Sequence, residues 1–365
     1  MSKTHKGKTS ETCPELWILG GYGDVGLRVA RYLQLLFDKP VLVLVGRNSE
    51  KLRNASRVIS GARSRAADVS TADALDGAPE DAIIINCVES FPAELAARHV
   101  DNGGTFIDMS ADPDYVAELR NALAAVPKPT GVAIIEAGLA PGLTGILAKH
   151  VADQDAGTEQ IDVILELGMG RHHGRGATAW TIAGIGGDYR VKVEGVWKTV
   201  LPGQLRRKIR FTDRSRDILA VGFGFSDQQS IARQLHLKSC RTFLALDPPW
   251  MTRTLAFLTG LPFARRVLPS RAWKIARALE VFPAFGGTGT RLLVEGAEGS
   301  GQRTAAVEMR SGDQAELTAL VIAATARAVL AADIVGPTSL GQILEAKTVA
   351  DLITECIPDS QFHGL

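Results

Sequence analysis

Apolar residues in the first 150 positions fall into short unbroken runs separated by helical patterns. Strand-like runs lie at Leu16–Leu19, Val41–Val45, Ala82–Asn86, Thr105–Asp108 and Val132–Ile135, with a weaker one at Ser64–Ala67. Helical spacing fills the intervals at Val25–Phe37, Glu50–Ile59, Pro92–Asn102 and Pro113–Ala125. Strands that are apolar throughout, connected through single helices, predict a parallel sheet buried on both faces. Right-handed crossovers make that sheet doubly wound. Past His150 the rhythm changes. Ile161–Leu167, Val191–Val193, Val196–Val200, Ile209–Phe211, Arg241–Leu246, Arg291–Glu295 and Thr304–Met309 read as strands, several without a helix between them. Such grouping predicts an α+β second unit with an antiparallel or mixed sheet. A long helix is expected over Ala315–Leu330, with Ser311 and Asp313 as candidate caps, then shorter helices over Leu340–Glu345 and Thr348–Glu355. The expected divisions are 1–14, 15–143, 144–312 and 313–365.

Composition narrows the classes. A chain of 365 residues suggests two domains, and 45% hydrophobic with 22% charged residues is a globular balance. Forty-one Lys plus Arg against 40 Asp plus Glu leaves no global field to attract nucleic acid, so no such partner is expected. The four cysteines, Cys13, Cys87, Cys240 and Cys356, form no C-x-x-C pair. They read as reduced thiols in a cytoplasmic protein, with no metal site. The start is polar and basic without an apolar run; it is expected to be a disordered tail rather than a signal peptide. Leu317–Val335 is the most membrane-like stretch, but Arg327 and Asp333 within it favour a buried helix.

The first strand runs into Gly20-Gly21-Tyr22-Gly23-Asp24-Val25-Gly26, where a helix begins. Gly21, Gly23 and Gly26 satisfy G-x-G-x-x-G. The first allows the tight turn, the second lets backbone approach a pyrophosphate, and the third lets helix and strand pack closely. The helix start offers free N–H groups and a positive dipole end to phosphates. A dinucleotide site is therefore expected in a Rossmann domain. The second strand selects the nucleotide. It ends in Gly46-Arg47-Asn48, with Arg47 21 positions after Gly26, where NAD enzymes carry a carboxylate for the ribose hydroxyl. A guanidinium there suits a 2′-phosphate, so NADP (as NADPH) is expected rather than NAD. Asp68-Val69 closes the third strand; Asp68 either accepts from the adenine amino group or caps the turn at Ser70. Cys87-Val88 follows the fourth strand, where the chain should pass the ribose and nicotinamide. Cys87 has no basic neighbour in sequence and is not expected to be a thiolate.

The run Leu19–Gly26, the triplet Gly46-Arg47-Asn48 and above all Glu136-Ala137-Gly138-Leu139-Ala140-Pro141-Gly142-Leu143 resemble the saccharopine dehydrogenase-like family, which includes saccharopine reductases and lysine 6-dehydrogenases. Thr178-Ala179-Trp180-Thr181, with Gly195 and Lys198, is similar to that family's entry into its second domain. The resemblance implies a dinucleotide-binding domain, a substrate and dimerisation domain that would make a homodimer, and a C-terminal segment returning to the first domain. It also implies nicotinamide-dependent chemistry at a carbon–nitrogen bond of a small molecule, with Gly138 at the cofactor.

Hydride chemistry on an imine needs a proton source and a clamp for any substrate carboxylate. Glu136, at a strand's carboxyl end, is a candidate to position an amine or relay a proton; it could equally cap the Pro141–Gly142 turn. His172 is a candidate proton donor and Arg171 a candidate clamp, in the loop Gly168–Gly176, which could also be a basic surface loop. Adjacent His172 and His173 point apart and do not suit a metal. His99 and His150 are read as ending helices, where a cation meets the dipole. Pro249–Leu279 carries six cations and no acid beside Trp250, Phe257, Phe263 and Trp273. A substrate lid or dimer face is expected there rather than membrane contact. Two other functions stay open: a C=C or C=O reductase of a hydrophobic, lipid-like substrate, and a non-catalytic NADP-binding protein.

Overall fold

The computed structural model describes residues 14–170, 175–281 and 286–365. The expected tail lies almost wholly outside them. Along the chain come β1 (Leu16–Leu19), α1 (Asp24–Leu36), β2 (Leu42–Gly46), α2 (Ser49–Val58), β3 (Arg63–Ala66), β4 (Ile83–Asn86), α3 (Ala93–Asp101), β5 (Thr105–Asp108), α4 (Pro113–Ala124), β6 (Val132–Ile134) and α5 (Leu143–Gln154). The second unit continues with β7 (Gln160–Gly168), α6 (Arg175–Ala183), β8 (Tyr189–Val193), β9 (Val196–Val200), β10 (Arg206–Ile209), β11 (Ile218–Gly222), α7 (Asp227–Gln234) and β12 (Ser239–Asp247). Three short helices follow, α8 (Pro249–Thr259), α9 (Pro262–Val267) and α10 (Ala272–Leu279), then β13 (Thr290–Ala297) and β14 (Arg303–Ser311). The chain closes with α11 (Gln314–Ala331), β15 (Gly336–Pro337), α12 (Leu340–Ile343), α13 (Ala346–Cys356) and β16 (Gln361–His363).

A seven-stranded parallel sheet has the order β15-β6-β5-β4-β1-β2-β3. The order reverses beside β1, and that switch point is where doubly wound sheets hold ligands. Strands apolar at every position serve both faces. Leu16, Ile18, Leu44, Ile83, Ile85 and Ile134 face one core, while Trp17, Leu19, Val43, Ile84, Phe106 and Ala133 face the other. A second, mixed sheet of nine strands runs β10-β11-β12-β7-β13-β14-β16, with β8 and β9 attached to β12. The architecture is thus a Rossmann-like α/β unit joined to a second α+β unit.

The C-terminal segment returns to the first unit, since α11 packs along α1 and β15 extends the parallel sheet beyond β6. Asp313 caps α11 by accepting from the N–H groups of Ala315 and Glu316 at 3.0 and 3.3 Å. Ser311, the other candidate cap, ends β14 instead and bonds Ser360 at 2.7 Å. Among the described residues α11 is the one helix long and apolar enough to cross a membrane, yet Leu317 and Ala319–Ala324 are all buried. Arg28 links the two helices. It donates to Asp24 at 3.1 Å and Glu316 at 2.5 Å, and lies 3.9 Å from Asp313. Burial works against its charge, but those carboxylates outweigh it and raise its pKa. Arg28→Met should destabilise the protein by about 2–3 kcal/mol, read by urea denaturation, because the acids then lose their counter-charge.

Three local expectations fail for identifiable reasons. The strand expected at Ile209–Phe211 lies earlier, at β10, where Arg207 bonds Asp162 and Glu295 at 2.5 Å each; Phe211 is buried beyond it in a loop. Neither β11 nor the polar helix α7 shows a clear period in the sequence. His99 sits inside its helix end but is buried, its ring nitrogen 2.8 Å from Ala82 O. Burial depresses its pKa, so it is a neutral core group rather than a cation on the dipole. His150 stands within α5 and contacts Gln154 at 2.7 Å.

Candidate cofactor and substrate site

The glycine turn between β1 and α1 is tight for steric reasons. A Cβ on Gly21 would lie 2.8 Å from Leu44 Cβ, and one on Gly26 would overlap Gly20 O and stand 3.0 Å from Gly21 Cα. Gly23 differs. A Cβ there would meet only Gly20 O at 3.1 Å, so the space above it is open. Gly23 is the N-cap of α1 and has no side-chain cap bond, which leaves the first-turn N–H groups of Asp24, Val25 and Gly26 facing that space. The Asp24 carboxylate is drawn to Arg28. This cradle, which a side chain at 23 would fill, fits a dinucleotide pyrophosphate.

Around it, the Tyr22 ring occupies the place where Gly46 would carry a Cβ, and Lys51 Nζ lies 5.8 Å from the ring centroid. Arg47 and Asn48 are both exposed at the end of β2. Asn48 caps α2 by accepting from Lys51 N–H at 2.9 Å, whereas Arg47 makes no hydrogen bond or ion pair among the described residues. Asp68 Oδ1 accepts from the Ser70 N–H and hydroxyl at 3.0 and 2.8 Å, so it does cap its turn. Those bonds, and to a lesser degree Arg47, lower its pKa. Val69 is buried beside it. On the other side of β1, Val88 packs against Gly20, and burial pushes the Cys87 thiol up to about 12, which rules out a thiolate at neutral pH.

The carboxyl ends of β4 and β5 hold a network absent from the sequence expectations. Asp108 is fully buried; it accepts from Asn86 Nδ2 at 2.6 Å, Ser110 N–H at 2.9 Å and Ser110 Oγ at 3.0 Å. Asn86 also reaches the Tyr115 hydroxyl at 3.1 Å, which in turn donates to Phe91 O at 2.7 Å. Glu89 accepts from the Ala111 and Asp112 N–H groups at 3.2 Å each. Burial pushes the Asp108 pKa up to about 7 against these bonds. The native state therefore holds a proton there at pH values where the unfolded chain has lost it, and stability falls as pH rises from the ordinary carboxylate range towards about 7. Melting temperature should decline between about pH 4 and 7, and Asp108→Asn should flatten that decline. The same variant should melt lower at pH 5, because a donor from Asn86 or Ser110 then faces an amide N–H₂.

Glu136 follows β6 with φ +65°, an uncommon conformation for a residue with a Cβ, and it is buried. Its Oε2 accepts from Arg120 at 3.0 Å and Ser230 at 2.5 Å, which pins α4 to α7. Its Oε1 is buried with no hydrogen-bond partner among the described residues. A cavity of about 360 Å³ opens there, bounded by Arg120, Glu136, Asp227, Gln234, Ser339 and Gln342 among others. Asp227 is buried too, accepts from Thr242 Oγ1 at 2.9 Å, and is pushed up to about 6 by desolvation. The turn from Glu136 to Leu143 closes on itself. Gly138 N–H donates to Pro141 O at 2.8 Å, Gly138 O accepts from Leu143 N–H at 2.8 Å, and a Cβ on Gly142 would overlap Gly138 backbone. Gly138 thus spends both backbone groups inside the turn and packs against Thr318 of α11. Arg171 and His172 lie outside the described residues. The root of their loop is fixed, with Met169 N–H donating to Asp247 O at 2.8 Å and Gly170 N–H to Gly287 O at 2.7 Å.

Among solved structures, the chain is similar to saccharopine dehydrogenase (L-Glu forming) from Saccharomyces cerevisiae, with TM-score 0.60 and 11% identity over 96% of this chain and 100% of that one. It shares that fold. The resemblance expected from the glycine turn and the Glu136–Leu143 motif thus holds at the level of architecture. Two further matches are an engineered D-amino acid dehydrogenase, TM-score 0.46 with 13% identity over 91% and 94% of the two chains, and the C. glutamicum DAP dehydrogenase in complex with DAP, TM-score 0.43 with 14% identity over 95% and 100%. No protein-family model matches the sequence, and no curated protein does.

Proposed function

We propose that this protein is an NADP-dependent oxidoreductase that oxidises an amine, or reduces an imine, of an amino acid-derived metabolite. The reading rests chiefly on the open glycine cradle at α1 with a free guanidinium, Arg47, and no carboxylate at the end of β2. The fold shared with saccharopine dehydrogenase supports an oxidoreductase, and the choice of a carbon–nitrogen bond follows from the family that the Glu136–Leu143 turn resembles. In this reading the N–H groups of Asp24, Val25 and Gly26 hold the pyrophosphate, Arg47 holds the 2′-phosphate, and Val69 and Val88 flank the rest of the coenzyme. A bound nicotinamide supplies a two-electron hydride acceptor or donor.

The chain's own groups then orient the substrate. Glu136 Oε1, buried and without a hydrogen-bond partner among the described residues, accepts from the substrate ammonium, while Arg120 and Ser230 hold its other oxygen and so fix the carboxylate's orientation. Arg171 and His172 take the clamp and proton-donor roles that their loop's composition suggests. Initial rates of NADP reduction with an amine panel, and of NADPH oxidation with keto acid–amine pairs, test the proposal. Glu136→Gln should lower kcat/KM by about 100-fold on the active pair while leaving the Kd for NADPH unchanged. Tight NADPH binding with no turnover on either panel would remove the chemistry and leave a coenzyme-binding protein.

A second reading, reduction of a C=C or C=O bond in a hydrophobic substrate, draws on the exposed aromatics Trp250, Phe257, Phe263 and Trp273. Mass spectrometry of the purified protein, finding a retained acyl ligand, would favour it.

A further inference from the structure

We propose that the helical unit Pro249–Val281 docks this protein reversibly on an anionic lipid bilayer. Its exposed side chains are the observation. Trp250 is 53% exposed, Phe257 65%, Phe263 77% and Trp273 64%, and no other Trp or Phe among the described residues is exposed. Leu261, Leu279 and Val281 join them in the same unit. Exposed aromatic side chains concentrated in one segment of the chain mark a contact site.

The helices are built to turn these groups outward. On α8 the buried positions Thr252, Leu255, Ala256 and Thr259 face β11 and β12, so Trp250, Arg253 and Phe257 share the opposite side. On α10, Ala272 and Ala276 pack on Ala179 and Ile182 of α6, which leaves Trp273 and Arg277 outside. Pro262 and Pro269 start the later pieces of the unit and keep it from becoming one long rod.

Charge selects the occupant. Arg253, Arg266, Arg271, Lys274 and Arg277 are exposed and have no ion pair among the described residues. The one carboxylate in the unit is Glu280, at its C-terminal end. A second copy of this chain meeting the face symmetrically would set cation against cation, which disfavours self-association. An anionic bilayer answers both features, since Trp and Phe settle at the headgroup level while Lys and Arg meet lipid phosphates. A lid or a dimer face, the expectation from sequence, is the alternative that the tests below distinguish.

Vesicle co-sedimentation with the full chain tests the proposal. The protein should pellet with vesicles of about 30% phosphatidylserine in phosphatidylcholine, stay in solution with pure phosphatidylcholine, and be released by about 0.5 M salt. Each cation near an anionic surface multiplies partitioning roughly fivefold, so Arg266→Glu with Lys274→Glu should reduce it more than tenfold. Phe257→Ser with Phe263→Ser should reduce it by a similar factor, with melting temperature unchanged because both positions are exposed. Failure to pellet with anionic vesicles, or pelleting that both double variants retain, would overturn the proposal. So would light scattering that shows a wild-type dimer converted to monomer by Phe257→Ser with Phe263→Ser, since the face would then belong to a second copy. None of these readouts depends on turnover.

Discussion

Arg47→Asp is expected to weaken NADPH binding by about 100-fold or more and to leave NADH binding within about threefold. A guanidinium holding a phosphate through charge-assisted bonds contributes about 1.5–3 kcal/mol, and a carboxylate in its place adds repulsion. A factor of 100 corresponds to about 2.7 kcal/mol, within that range. Arg47 is exposed, so the effect should shrink with salt, and titration calorimetry at low ionic strength gives the clearest reading. Its neighbour Asn48 is committed to capping α2 and cannot substitute for it. Equal loss of NADPH and NADH affinity would point to a damaged turn instead, and an unchanged preference would refute the assignment of NADP.

Two alanine substitutions only three residues apart in sequence should separate folding from binding. Gly26→Ala sets a Cβ against Gly20 O and Gly21 Cα, backbone on both sides that no side-chain rotation relieves. It should cost about 2–3 kcal/mol and lower the melting temperature by roughly 5 °C or more. Gly23→Ala adds a Cβ that meets only Gly20 O at 3.1 Å, and Gly23 already has φ −71°, which any residue adopts. Its stability should stay within about 0.5 kcal/mol of wild type. Its NADPH affinity should nevertheless fall about tenfold or more, because the methyl group stands where the pyrophosphate approaches the helix start. Scanning fluorimetry with and without NADPH checks both. A Gly23→Ala protein that binds as tightly as wild type would show that this cradle does not hold the phosphates.

The outcome for the site differed with the range of the interactions concerned. The roles of Gly21 and Gly26 were readable because a strand, a turn and a helix start are adjacent in sequence. Asp68 is an even choice between ligand and cap in the sequence, and the structure shows the local cap bond to Ser70. Glu136 was legible as a carboxylate at a strand end, but its partners Arg120 and Ser230 stand 16 and 94 positions away. Nothing in the pattern announced the Asn86–Asp108–Tyr115 network. Its members are polar residues at the ends of different strands, and only the parallel register of β4 on β5 brings Asn86 opposite Asp108.

By itself, then, the sequence determined the doubly wound sheet, the glycine turn and the cation at the end of β2, since period, turn chemistry and charge act over a few neighbouring residues. Tertiary structure decided which acids are buried, which side of Pro249–Val281 meets solvent, and that Arg28 ties α1 to a helix nearly 300 positions later. Those outcomes depend on burial and on contacts between distant segments, and they exist only once the two sheets have packed.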